Sequence, residues 1–205
     1  MPAVILSNVS IYKNIVDTHY QSYCALLSQQ TELSTGTDSQ TDACKEEMYN
    51  TQYAMDCEAA IVVVFSYMTI EAFCNMYLNQ YIARQRMENF CFIKKINTTI
   101  SQLFAESGKT VSKRKAFLYY GADIEKLVEI RNSMVHRYPV RLSLSIKTDD
   151  ALESTAAVAA HQIEKNYLRR ISPNDVEMAA TAYATFLTKL KESGADFSKL
   201  RFIYE

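Results

Sequence analysis

The sequence predicts an all-α protein, a single-domain antiparallel helical bundle over residues 1–205. Three observations predict it. Four glycines and three prolines punctuate a chain that is 48% hydrophobic, which is too little turn chemistry for an all-β fold. Apolar residues recur at helical spacing along most of the chain. The run A-A-I-V-V-V-F at 59–65 is apolar on every side, as expected of a helix with neighbours all round. A chain of 205 residues is long enough to bury a substantial core.

Taken in order, residues 9–33 carry Ile11, Ile15, Val16, Tyr20, Tyr23, Leu26 and Leu27 at helical spacing and predict a first helix. The run S-T-G-T-D-S-Q-T at 34–41 is a loop, after which Thr41 or Asp42 can cap the next helix. That element, 45–83, reads as one long helix or two nearly collinear ones. Its valines and isoleucine would also suit a strand, but the pattern continues through Met68, Ala72, Phe73 and Met76 to Leu78, and length decides for helix. A shorter helix is expected over 88–105, ending at Ser107-Gly108. A dense basic cluster follows at 109–115. Residues 140–146, V-R-L-S-L-S-I, alternate with period two and fit a short strand or an extended linker. Asp149 and Asp150 can open a helix over 151–170 whose end carries Lys165, Arg169 and Arg170. The last helix is the best specified: Ser172 as cap, Pro173 at the first helical position, Asp175 completing a capping box, and Gly194 as terminator. Its stripe is Val176, Ala179, Ala180, Tyr183, Phe186, Leu187 and Leu190. There is no internal repeat or low-complexity tract.

Composition narrows the function classes. A net charge of −1 argues against a strongly basic nucleic-acid scaffold while leaving room for a local RNA-binding patch. Five cysteines without a C-x-x-C pair predict buried free thiols in a reducing compartment. The start, M-P-A-V-I-L-S-N, lacks the basic opening and sustained apolar core of a signal peptide. Glu71, Asn75, Asn79 and Gln80 interrupt the apolar stretch 59–83, which favours a core helix over a bilayer span. The expectation is a cytoplasmic protein with no membrane partner. His19 and His161 have no ligand-spaced Cys, Asp or His, so no metal and no cofactor is expected. No Gly-rich phosphate loop, G-x-S-x-G or Cys/His arrangement is present.

The residues that break the pattern lie in 124–139, I-E-K-L-V-E-I-R-N-S-M-V-H-R-Y-P. Ile124, Leu127, Val128, Ile130, Met134 and Val135 form one apolar stripe, with Arg131 expected in its middle. A guanidinium there needs a partner or a polar cleft. Glu125, Glu129, Asn132 and His136 form a second ridge, which makes Asn132 and His136 neighbours. Pro139 pushes Tyr138 out of the α region, so the helix should stop just after His136 and place an imidazole at its C-terminus, where the dipole favours the protonated form. The ordinary alternative is that Arg131 is internally paired and His136 merely caps a helix.

The Arg131-to-His136 spacing, with a polar residue after the Arg, a proline just beyond and a long preceding helix bearing Glu71, resembles the R-x(4–6)-H signature of the HEPN superfamily. The resemblance covers a core bundle of about 45–193, with 140–170 as an extra segment, or insertion, before the last helix. It implies a metal-independent endoribonuclease, acting as a homodimer with the two motif helices facing each other, in a family rich in toxins and defence effectors. A toxin-like role would bring an antitoxin or other inhibitory partner. His136 would be the acid/base, Arg131 the phosphate clamp and Asn132 a positioning group, because self-cleavage of RNA needs a proton carrier near neutral pH and a forked cation on the phosphoryl oxygens. Glu71, one turn before Asn75, needs a partner on an apolar helix, and Arg131 is the natural candidate. Structural pairing and support of the site are both open for this carboxylate. Tyr138 could stack a base or pack the helix end. Lys113, Arg114 and Lys115 could contact RNA backbone or form a solvated loop. A non-catalytic HEPN-like module that holds a nucleotide, RNA or protein is the competing function.

Overall fold

Helices account for all the regular structure in a computed structural model that describes residues 7–36, 41–111, 113–135, 171–195 and 197; no strand occurs among them. The elements are α1 (Asn8–Thr35), α2 (Asp42–Leu78), α3 (Arg84–Met87), α4 (Phe92–Glu106), α5 (Lys113–Val135) and α6 (Pro173–Glu192). The expectations for 140–146 and 151–170, and with them His136, Tyr138 and His161, lie outside the described residues.

Each boundary has a local cause. Ser7 caps α1 by accepting from the backbone N–H of Ser10, and α1 runs to Thr35, so the predicted loop opens at Gly36 rather than Ser34. Thr41 caps α2 by accepting from the N–H of Cys44, which leaves Asp42 inside the first turn, where its charge suits the helix dipole. α2 ends at Leu78, five residues short of the predicted 83. Leu78 is fully buried while Asn79 and Gln80 are exposed, and the chain leaves through a turn in which Tyr81 and Ile82 both donate to the Leu78 carbonyl. The predicted helix 88–105 starts later, at Phe92, because Glu88 and Asn89 belong to the turn after α3 and Cys91 is extended. Its predicted end holds, with Gly108 at a positive φ of 69°.

The basic cluster is only partly a loop. Lys113 opens α5, so Lys113, Arg114 and Lys115 form that helix's first turn. The helix bends at Gly121 (φ 63°, ψ −169°), a conformation outside the reach of ordinary L-residues. α6 matches its prediction: Ser172 and Asp175 exchange side-chain-to-backbone hydrogen bonds in a capping box, and Gly194 follows with φ 81°.

The core lies around the second half of α2. From Ala59 to Leu78 its buried side chains point to more than one side, and α1, α4, α5 and α6 all pack against the helix. Phe73 meets Tyr183 and Phe186 of α6 edge-on, at 5.9 and 6.1 Å between ring centres. α5 contributes Ile124, Leu127 and Ile130, and α4 contributes Ile96, Ile100, Leu103 and Phe104. α1 runs opposite to α2: His19 pairs with Glu58, Gln29 donates to Glu47, and Cys44 donates to the Leu33 carbonyl. The far end of this hairpin is thin. No described residue from Cys24 to Asn50 is buried. α2 contains an 18-residue window apolar enough to cross a membrane (mean hydropathy 1.6), 44% of it buried in the bundle, which is compatible with the core helix of a soluble protein. All five cysteines are free, but only Cys74 is buried; Cys24, Cys57 and Cys91 are exposed. The expectation of buried thiols fails for these three, which fall on the solvent side of their helical turns or at a cap.

Candidate functional site

The second arm of α5 brings Arg131 against α2. The buried residues on this arm are Ile124, Leu127 and Ile130, and Arg131, seven after Ile124 and four after Leu127, shares their face and is half-buried. The guanidinium carbon lies 4.8 Å from the centre of the Tyr67 ring, and Nη1 donates to Asn132 Oδ1 at 3.1 Å. Tyr67 is itself stacked on Phe92 of α4, with ring centres 4.1 Å apart and 22° between planes. An aromatic ring braced this way gives a cation a fixed, weakly hydrated seat. Burial pushes the Tyr67 phenol up, the Glu71 carboxylate adds to this, and Arg131 partly offsets it. Both charges therefore act on one ring.

Glu71 follows one turn later on α2. The partner seen for it is Lys95 of α4, whose Nζ donates to Oε1 at 2.6 Å, with side chains 11% (Lys95) and 31% (Glu71) exposed. The predicted pairing of Glu71 with Arg131 is corrected accordingly. The physical demand was read properly, since a carboxylate on this helix does take a cation, but Lys95 meets it from the neighbouring helix. The signal was available: in α4 the lysine lies on the apolar face marked by Phe92, Ile96, Thr99, Ile100 and Leu103, where a solvated lysine does not belong. Tyr67, four residues before Glu71, was missed because an aromatic at helical spacing reads as core.

Asn132 is exposed beside Arg131, on the ridge with the exposed Glu125 and Glu129 as expected. Lys113, Arg114 and Lys115 stand on the other arm of α5, before the bend at Gly121. His136 and Tyr138 follow the last described residue of α5 and lie outside the description. His19 Nδ1 meets Glu58 Oε2 at 2.5 Å, an inter-helix pair. Among the described residues no three His, Cys, Asp or Glu side chains are grouped as a metal would require.

On the other flank of Glu71, between the start of α1 and the end of α2, is a cleft of about 440 Å³. Asn75 lines it together with Glu71, so the two predicted supporting residues share one wall. Asn8 and Asn79 add two further carboxamides. Tyr12, Met68 and Met76 supply apolar surface. Among the described residues, no lysine, arginine or histidine takes part in the lining.

Chemically, the α2–α4–α5 junction offers a seated guanidinium with a carboxamide beside it, backed by an ion pair. The described residues of the cleft offer acceptors and amides without cations. Protein-family models, curated proteins and solved structures provide no match to the chain.

Proposed function

We propose that the protein is an HEPN-like, metal-independent endoribonuclease of the cytoplasm, an antiparallel bundle that acts as a homodimer and serves as a toxin or defence effector restrained by an antitoxin or other inhibitory partner. The observation that carries this reading is the seat of Arg131: a half-buried guanidinium held over Tyr67 and bonded to Asn132, within an R-N-x-x-x-H sequence. In the proposed reaction the ribose 2′-oxygen forms a bond to phosphorus while the bond to the 5′-oxygen breaks. The products are a cyclic phosphate and a 5′-hydroxyl. His136 carries the proton between the attacking and leaving oxygens, and Arg131 stabilises charge on the non-bridging oxygens. Pairing two motif helices across a two-fold axis would put two such sets into one cleft.

The test is incubation of the purified protein with mixed RNA, with and without EDTA. Cleavage is expected to persist in EDTA and to be absent on DNA and on 2′-O-methyl RNA, which lack the attacking hydroxyl. His136→Ala should slow it by about 10²–10⁴-fold. Arg131→Lys keeps the charge but loses the fork and should be impaired. Cleavage that requires magnesium, or that is unchanged in His136→Ala, would overturn the assignment. A second reading, a non-catalytic HEPN-like module that binds a nucleotide, RNA or a protein, is favoured by the amide-lined cleft beside Glu71. Ligand-dependent thermal stabilisation without turnover would select it.

A further inference from the structure

The cleft between α1 and α2 combines two features. The first is a set of solvent-facing polar side chains whose hydrogen-bonding capacity is not taken up by the described residues. Glu71 gives only Oε1 to Lys95, leaving Oε2 available, and the side-chain amides of Asn8, Asn75 and Asn79 make no hydrogen bond among the described residues. On α2, Glu71, Asn75 and Asn79 are spaced i, i+4 and i+8, so they form one continuous polar wall. The second feature is the flat apolar surface of Tyr12, Met68 and Met76, with Tyr12 braced by Phe65 at 5.7 Å between ring centres. Methionine and tyrosine together suit the faces of a planar ring.

Charge selects the ligand further. Among the described residues the lining has one carboxylate and no cation, so they offer a phosphate no counter-charge. A planar ring with N–H donors on its edge satisfies the wall. Carboxamides complete the edge by donating to ring nitrogens or carbonyls. We infer that this cleft is a nucleobase pocket that takes an amino-bearing base, namely guanine, adenine or cytosine, with Glu71 accepting from the exocyclic amine and Asn75 and Asn79 reading the rest of the edge. The inference rests on the reading of the protein as one that acts on RNA. It adds a subsite to that reading, since Tyr67 and Glu71 are one turn apart on α2, placing the pocket on the flank of the helix that seats Arg131.

Isolated nucleosides test the pocket without any cleavage. In ¹⁵N-labelled full-length protein, the side-chain NH₂ signals of Asn75 and Asn79, assigned by Asn75→Ala and Asn79→Ala, would be followed as guanosine, adenosine, cytidine and uridine are added. The three amino-bearing nucleosides should shift both signals, and uridine, whose edge offers one ring N–H between two carbonyls and no exocyclic amine, should bind about tenfold more weakly. Glu71→Gln should erase that preference. Asn79→Ala, at an exposed position that leaves the fold alone, should weaken all of them. No shift of these signals at saturating nucleoside, or equal binding of uridine, would overturn the pocket. Failure of the ribonuclease reading looks different: RNA would remain uncut while the nucleosides still shift Asn75 and Asn79.

Discussion

Replacing Gly121 with alanine gives a measurement whose sign alone discriminates. The residue holds φ 63° and ψ −169°, a region that is essentially reserved for glycine. Forcing an L-residue into it costs about 1–3 kcal/mol. The new methyl group would add no clash, because its nearest neighbour is the flexible end of Lys189, with Nζ 3.6 Å away. Alanine also narrows the unfolded ensemble, which returns about 0.4–1 kcal/mol. The net expectation is a loss of about 1–2 kcal/mol. For a chain of this size it corresponds to a drop in Tm of about 2–8 °C. Were α5 instead one continuous helix, the same substitution would stabilise it by about 1 kcal/mol, because glycine is the poorer helix former. Urea denaturation of the two proteins, followed by circular dichroism at 222 nm, distinguishes the cases. An alanine variant as stable as the parent or more so would refute the bend, and with it the orientation of the arm that carries Arg131.

Three further outcomes follow from the described contacts. Lys95→Met leaves the Glu71 carboxylate without its cation and should destabilise by about 1–3 kcal/mol, whereas Lys95→Met with Glu71→Leu should recover most of the loss; a double-mutant cycle with no coupling would deny the pair its role. Burial alone would raise Asp175, but the Lys126 ion pair and the Ser172 capping bonds outweigh it and hold the carboxyl below its ordinary range. A folded-state pKa below the unfolded one contributes stability that is present above the unfolded carboxylate pKa and is lost as pH falls through the folded value. Acid titration of stability should therefore flatten at its low-pH end in Asp175→Asn, and an unchanged profile would contradict this. Burial pushes the Cys74 thiol up to about 12, with Thr99 and Lys95 opposing it only in part. A thiol-specific disulfide reagent should accordingly label Cys24, Cys57 and Cys91 in the native protein and Cys74 only after unfolding. Native labelling of Cys74 would show that its surroundings open.

Most of the helical frame was legible because its signals are local. The α6 capping box, the Thr41 cap and the Ser107-Gly108 terminus each depend on residues within four of one another. What escaped depends on distance in the chain. The early end of α2 and late start of α4 are set by which side chains reach the core, and nothing within 79–91 alone announces that. The bend at Gly121 was hidden for a similar reason: a lone glycine in a helical pattern is usually tolerated in place, and only packing of both arms reveals a positive φ. At the candidate site, Arg131 and Asn132 were legible as a departure from pattern. The seat under Arg131 was not, because Tyr67 and Phe92 are separated by 25 positions and each reads as an ordinary core aromatic. Glu71 was flagged correctly as needing a cation, but the partner came from a third helix.

The thin end of the α1–α2 hairpin gives one helix two different lives. α2 is 37 residues long, about 55 Å of rod, yet its buried residues begin only at Thr51. Beyond that point the rod is clamped on several sides. Before it, the contacts seen among the described residues are with α1, and two helices with only half-covered contacts cannot hold their amides closed for long. Exchange of backbone hydrogens along α2 should therefore fall steeply from Asp42 towards Val62, with no helix boundary in between to account for the change. A protease or a binding partner would meet a segment that comes apart at low cost, joined without interruption to one that opens only when the whole bundle does.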